Sequence, residues 1–182
     1  MSRVFLGINL TGDLKTKIET FKINSRLDKL PIKLVELENS HIALKFFGDL
    51  SDEQIETVNQ TVSLTVRDFK SFEVAIKDSL VFPNLHQPRV LAFKVISPEL
   101  VSLSEKIIAK VDTLPFIEPE QRKYTPHITL GRIKDRLSDL QKEHIKNIKF
   151  EDKFIISAIQ LFESKLTADG PIYKILKEFK LK

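Results

Sequence analysis

The chain has 182 residues, 42% of them hydrophobic and 30% charged, a globular composition that excludes an intrinsically disordered chain. Cysteine is absent, which removes disulfides, thiol nucleophiles, thiolate zinc sites and iron–sulfur clusters, and no apolar run approaches the roughly 18 residues of a bilayer span. Lys and Arg number 29 against 25 Asp and Glu, leaving +4, a modest excess compatible with a polyanionic partner.

The opening residues MSRVFLGINLTGDLK lack a basic stretch followed by an apolar one and a small-residue cleavage site, so a cytoplasmic protein is expected. Residues 3–10 (RVFLGINL) are apolar and partly β-branched and read as a strand. Thr11 is a plausible N-cap, and Leu14, Ile18 and Phe21 then fall on one helical face. Residues 33–37 (KLVEL) and 40–47 (SHIALKFF) read as strands, the second broken by Gly48 and Asp49. Ser51 with Gln54 forms a capping-box pattern before the stripe Ile55, Val58, Val62, Val66 and Phe69. Phe72, Val74 and Ile76 alternate as a strand face, residues 83–88 (PNLHQP) form a loop, and residues 90–96 (VLAFKVI) read as a buried strand. Ser97 and Pro98 start the next helix, with Leu100, Leu103, Ile107 and Val111 as its apolar stripe. Pro115 and Pro119 bracket a loop. Residues 126–133 (PHITLGRI) are a strand, Ser138 with Gln141 opens a short helix, residues 154–162 are a strand, residues 168–171 (ADGP) a turn and residues 172–179 a final strand. Strands joined by short turns favour antiparallel pairing, and mixing them with helices gives an α+β fold rather than a doubly wound sheet.

One internal echo interrupts an otherwise non-repetitive chain. Residues 40–44 read SHIAL and residues 126–130 read PHITL, with the histidines 86 positions apart and each motif followed by a capping-box helix. Two similar halves, each contributing one histidine-bearing strand, would make a single bilobal domain over residues 1–182. Of the four histidines, His86 in its loop and His144 in a lysine-rich helix read as solvated surface residues. A lone histidine inside a strand is commonly structural, hydrogen-bonded to backbone; the repeated context favours a functional pair in His41 and His127. Residues i and i+2 of a strand share a face, so Thr129 stands beside His127 and Ala43 beside His41, while Ile42, Leu44, Ile128 and Leu130 point into a core. Arg132, five residues after His127, can supply charge-assisted donors to a phosphate.

No HExxH, GxxxxGK[ST], GxGxxG or GxSxG pattern occurs, and no third ligand for a two-histidine zinc site stands out near these strands. Two imidazoles without a nucleophile point to acid–base chemistry. The best-matched reaction is phosphodiester cleavage, one ring taking a proton from water and the other protonating the leaving oxygen.

These segments resemble the two-histidine (2H) phosphoesterase superfamily, and within it the LigT-like RNA 2′,3′-cyclic phosphodiesterases, also called 2′-5′ RNA ligases. The resemblance spans nearly the whole chain: RVFLGINLTGDLK, NSHIALKFFGDLSDEQ, FPNLHQPRVLAFKV, YTPHITLGRIK and LFESKLTADGPIYKIL occur in the family's order. It implies a bilobal α+β fold with two antiparallel sheets facing a central cleft and helices outside. It implies metal-independent hydrolysis, with no cofactor, of an RNA or nucleotide 2′,3′-cyclic phosphate end to a 2′-phosphate; a monomer that binds no membrane is expected. Carried over by position, His41 is the proton donor to the 3′ leaving oxygen, His127 the proton acceptor that activates water, and Thr129 and Arg132 hold the phosphate. Reversed roles would join RNA ends through a 2′-5′ linkage. Ser164 and Tyr173 fall in the closing hairpin near the cleft, where structural roles are expected first. The chain departs from the family pattern at Ala43, where the motif has threonine; a methyl group donates no hydrogen bond. That departure implies a weaker or narrower enzyme, or, as the alternative, an RNA- or nucleotide-binding member with little or no catalysis.

Overall fold

The computed structural model describes residues 1–168 and 170–182. The alternating apolar segments become strands β1 (Ser2–Asn9), β2 (Ile32–Leu34), β3 (His41–Leu50), β4 (Phe72–Phe82), β5 (Val90–Ile96), β6 (His127–Ile133), β7 (Glu151–Ile156), β8 (Ala158–Leu166) and β9 (Pro171–Lys180). The helices are α1 (Gly12–Asn24), α2 (Asp52–Val66), α3 (Pro98–Val111) and α4 (Asp139–Lys146). Each helix starts where a hydroxyl side chain takes an otherwise orphaned backbone N–H. Thr11 accepts from Leu14 in α1 and Ser97 from Leu100 in α3, and Ser51 with Gln54 and Ser138 with Gln141 close full capping boxes. Asp169, in the expected 168–171 turn, lies outside the described residues.

Every strand pairing is antiparallel, in the order β7-β4-β5-β6-β3-β1-β8-β9, with β2 against β6. The two antiparallel sheets of the α+β expectation are the sets β7-β4-β5-β6 and β3-β1-β8-β9. A single register pair, Ile42 with Ile128, joins them into one path. Both isoleucines are fully buried. Helix α1, which follows β1 in the chain, packs on the other set: Phe21 lies edge-on at 5.0 Å against Phe93 of β5, and Lys17 reaches Asp152 of β7 at 3.0 Å. One continuous apolar core runs through both sets.

Two expected segments differ. Residues 154–162 form parts of two strands, because the chain changes sets at Ser157: β7 pairs with β4, whereas β8 pairs with β1 and β9. No glycine or proline marks the switch; the Ser157 carbonyl already accepts the Leu181 N–H at 2.9 Å, in register with the Ala158–Lys180 pair of β8 and β9. The strand expected at 33–37 shortens to β2, followed by a 3-10 turn at Leu37–Asn39. Two lysines of α1 take the carbonyls of this segment instead of a strand partner, Lys22 that of Val35 at 2.6 Å and Lys15 that of Glu38 at 3.0 Å.

Candidate active site

The antiparallel pair Ile42/Ile128 sets the geometry of both motifs. Its side chains are buried, so the flanking residues His41, Ala43, His127 and Thr129 lie on the opposite, open face. The antiparallel register sets His41 level with Thr129 and Ala43 level with His127.

A matching irregularity follows in each strand. Along β1, Gly7 pairs with Ala43 and Leu6 with Lys45, so Leu44 is the extra residue of a β-bulge. Along β5, Ala92 pairs with Thr129 and Leu91 with Gly131, so Leu130 is the extra residue. A bulge reverses the alternation of faces beyond it. That is why Arg132, an odd number of residues from Thr129, still shares its face: Gly131 is buried and Arg132 exposed. The glycine at 131 is needed because a Cβ there would meet the Ile32 side chain at 2.5 Å and the Lys33 carbonyl at 2.8 Å. In the first motif the same reversal turns Phe46, 65% exposed, onto the open face while Lys45 goes inward. The positions five residues after the two histidines are therefore equivalent and carry a phenyl ring in one half and a guanidinium in the other. Arg132 has no ion-pair partner among the described residues.

Both imidazoles are anchored identically. Nδ1 of His41 lies 2.7 Å from the Asn39 carbonyl, and Nδ1 of His127 lies 2.7 Å from the Thr125 carbonyl. A carbonyl only accepts, so each Nδ1 carries the proton and donates, which leaves each Nε2 free to take or give one. Aromatic rings hold the rings on their sides: His41 has Phe5 at 4.9 Å and Tyr173 edge-on at 5.2 Å, and His127 has Phe82 at 4.8 Å. Asn39 also donates its side-chain amide to the Pro171 carbonyl at 2.8 Å, tying the His41 anchor to the strand that carries Tyr173.

Burial pushes both imidazoles below the usual histidine pKa, and the carbonyl contacts oppose this only in part. His41 is further depressed by the positive charges of His127 and Lys15. At pH 7 both rings are therefore mainly neutral. Lys15 itself is lowered by burial, against the pull of Glu38.

The segment leading into β6 is bolted to β3. Tyr124 donates its hydroxyl to the Ala43 carbonyl at 3.1 Å, and burial raises its pKa far above the usual phenol value. Lys45, 3% exposed, pairs with Asp112 at the C-cap of α3 at 2.9 Å and donates to the Glu118 carbonyl at 3.0 Å. Asp112 in turn accepts the Glu120 N–H at 2.9 Å. Replacing Lys45 with methionine leaves the Asp112 carboxylate, whose side chain is only 16% exposed, without its cation, and the expected cost is about 3 kcal/mol of unfolding free energy in urea. The double variant Lys45→Met/Asp112→Leu recovers most of it. A single-variant loss below about 1 kcal/mol would remove this anchor from the account.

A cavity of about 670 Å³ adjoins the pair on the β1–β8–β9 side, lined by Phe5, Phe46, Arg132, Ser164 and Tyr173 among others. Burial raises the Tyr173 hydroxyl pKa, Arg132 opposing and Glu36 assisting. His41, Ala43, His127, Thr129 and Arg132 thus come together on one face, and Ser164 and Tyr173 line the adjoining cavity. His86 and His144 lie elsewhere and are exposed, the latter with Nε2 at 2.9 Å from the Ser25 carbonyl. Among the described residues no group of three or more His, Asp or Glu is placed to hold a metal, and no helix is long and apolar enough to cross a membrane. Phe5, Phe46 and Phe82 were missed from sequence because a phenylalanine in a strand reads as core. The spacing of Phe46 from His41, equal to that of Arg132 from His127, was the available signal.

A family model described as the 2′-5′ RNA ligase superfamily matches residues 13–167. A protein of Methanocaldococcus jannaschii named RNA 2′,3′-cyclic phosphodiesterase is 33% identical over 181 residues, covering 97% of this chain and 99% of its own. One of Methanothermobacter thermautotrophicus with the same name is 32% identical over 184 residues, covering 98% of each. Among solved structures, a Thermus thermophilus protein superposes with a TM-score of 0.86 at 23% identity, covering 98% of this chain and 97% of its own. Escherichia coli LigT complexed with 3′-AMP superposes with a TM-score of 0.84 at 19% identity, covering 100% and 98%.

Proposed function

The chain belongs to the 2′-5′ RNA ligase superfamily, and from that premise we propose that it is an RNA 2′,3′-cyclic phosphodiesterase that opens a terminal cyclic phosphate to a 2′-phosphate. The observation that carries the reading is the pair of identically anchored imidazoles, both Nδ1 atoms spent on carbonyls and both Nε2 atoms free, on one face of adjoining strands. His127 accepts a proton from water as the water oxygen attacks phosphorus. The bond from phosphorus to O3′ breaks, and His41 gives its Nε2 proton to that oxygen. The products are a 3′-hydroxyl and a 2′-phosphate. Thr129 donates to a phosphoryl oxygen, and the Arg132 guanidinium offsets the charge that builds there. The rings of Phe46 and Tyr173 offer the terminal nucleoside a stacking surface. The same steps in reverse, between a 2′-phosphate end and a 5′-hydroxyl end suitably held, would form a 2′-5′ linkage. We read residues 1–182 as one bilobal domain acting as a monomer in the cytoplasm. Single-turnover hydrolysis of a short RNA with a cyclic terminus tests the function; binding without cleavage would refute it.

The depressed imidazoles set the pH dependence. A free enzyme that needs one neutral and one protonated histidine peaks midway between their two pKa values. Both lie below the usual 6.5, so the kcat/KM profile should be a bell with its maximum below pH 6.5. A bound phosphodiester anion favours the protonated form of His41, so the upper limb of the kcat profile should lie at higher pH than that of kcat/KM. Profiles that rise monotonically with pH would remove His41 as the acid.

A further inference from the structure

The cavity beside the histidine pair continues along β1, β8 and β9, from Phe5 and Tyr173 to Arg3, Leu166 and Pro171. Phe5 touches His41 at 4.9 Å, and Phe46 and Tyr173 flank Phe5 at 5.4 and 5.0 Å. Beyond them the cavity is floored by Leu166 and Pro171, paired across β8 and β9, and walled by Arg3 and Arg122. Leu166 and Ser164 alternate with Glu163 and Lys165, so Leu166 shares the face of Phe162 and Phe5. Leu166 is 70% exposed and Phe46 is 65% exposed, two large apolar side chains left open along one cavity. Arg3 lies two residues from Phe5 on the same face of β1, about 7 Å further from the histidines. It is exposed and has no ion-pair partner among the described residues. Arg122 faces Glu120 at 3.6 Å. Glu118 also lines the cavity, while Lys45 is committed to Asp112. The cavity thus keeps unpaired cationic charge at Arg3 and Arg132, next to an apolar floor that continues the face of the candidate active site.

An apolar floor with guanidinium groups at its edge fits a single-stranded nucleic acid, with a base on the floor and its phosphates at the rim. We propose that Leu166, Pro171 and Arg3 form a second nucleotide subsite that holds the nucleotide on the 5′ side of the cyclic terminus, base against the β8–β9 floor and linking phosphate at Arg3. This rests on the functional reading above and adds to it the substrate class: oligonucleotide ends are preferred to cyclic mononucleotides.

The test compares kcat/KM for a 2′,3′-cyclic mononucleotide and for the dinucleotide carrying the same cyclic end. The parent should prefer the dinucleotide by about tenfold, the scale of one added stacked base, and raising salt should erode that preference. Leu166→Glu and Arg3→Glu, both at exposed positions, should each bring it to within about threefold and leave mononucleotide turnover within about twofold of the parent. Equal turnover of the two substrates by the parent, or an undiminished dinucleotide preference in both variants, would overturn the subsite. No turnover of either substrate by the parent would instead overturn the functional reading.

Discussion

His41→Ala and His127→Ala are each expected to lower turnover of a cyclic-phosphate RNA end by about 10²- to 10⁴-fold, the range of a lost general acid or base. The double variant should fall little below the worse single one, since groups acting in one concerted transfer are not additive. The geometry gives the reason. Each ring keeps only Nε2 for chemistry, because the Asn39 and Thr125 carbonyls occupy Nδ1. Neither ring has a second histidine beside it as a substitute, with His86 and His144 exposed elsewhere. Both rings are only half-buried, so thermal midpoints should move little and the loss should be one of rate. Asymmetry is expected in pH dependence: His127→Ala should lose the limb that reports the base and His41→Ala the limb that reports the acid. A variant that keeps a tenth of the parent rate would place the proton transfer elsewhere.

Ala43→Thr is expected to raise kcat on the same substrate by at least about tenfold, approaching the 10²–10³ that removal of one such donor costs where it stabilises transition-state charge. Ala43 is the counterpart of Thr129 in the pseudo-symmetric arrangement of the two motifs and lies level with His127. Its neighbour across β1 is Gly7. Glycine is required there because a Cβ would meet the Ile42 carbonyl at 2.8 Å and the Phe5 ring at 3.3 Å, and the Tyr124 hydroxyl holds the Ala43 backbone where the threonine is needed. The sequence alternatives for a replacement donor narrow in the structure. Ser40 is 2% exposed and adjoins the core, and Lys45 is engaged by Asp112 and the Glu118 carbonyl. Under the proposed function, the phosphate contacts then fall to Arg132 and Thr129, and the first motif contributes a proton rather than a grip. A variant with unchanged kcat would mean that a water or a substrate hydroxyl already fills the gap.

Much of this site was legible in the residues. His41 and His127 stood out because the same four-residue context occurs twice, and strand alternation put Thr129 on the right face. The helices were marked by side chains that bond their own backbone, such as Ser51 with Gln54. What the sequence hid was set by non-local contacts. The bulges at Leu44 and Leu130 have no local signature, since a leucine is as good in a regular strand, yet they alone turn Arg132 and Phe46 onto the open face. The change of sheet at Ser157 is made by pairing partners on distant strands, β4 on one side and β1 with β9 on the other. The turn before His41 owes its form to lysines of α1 reaching backbone carbonyls, an interaction no periodicity announces.

The central claim is that two imidazoles suffice to open a 2′,3′-cyclic phosphate, with the leaving oxygen at 3′. The most direct measurement is product analysis of a short RNA with a cyclic terminus, incubated with the protein in the presence of a chelator. The account predicts a 2′-monophosphate as the sole product, formed at the same rate with and without chelator. A 3′-monophosphate, or a rate that collapses on chelation and returns with a divalent cation, would contradict it.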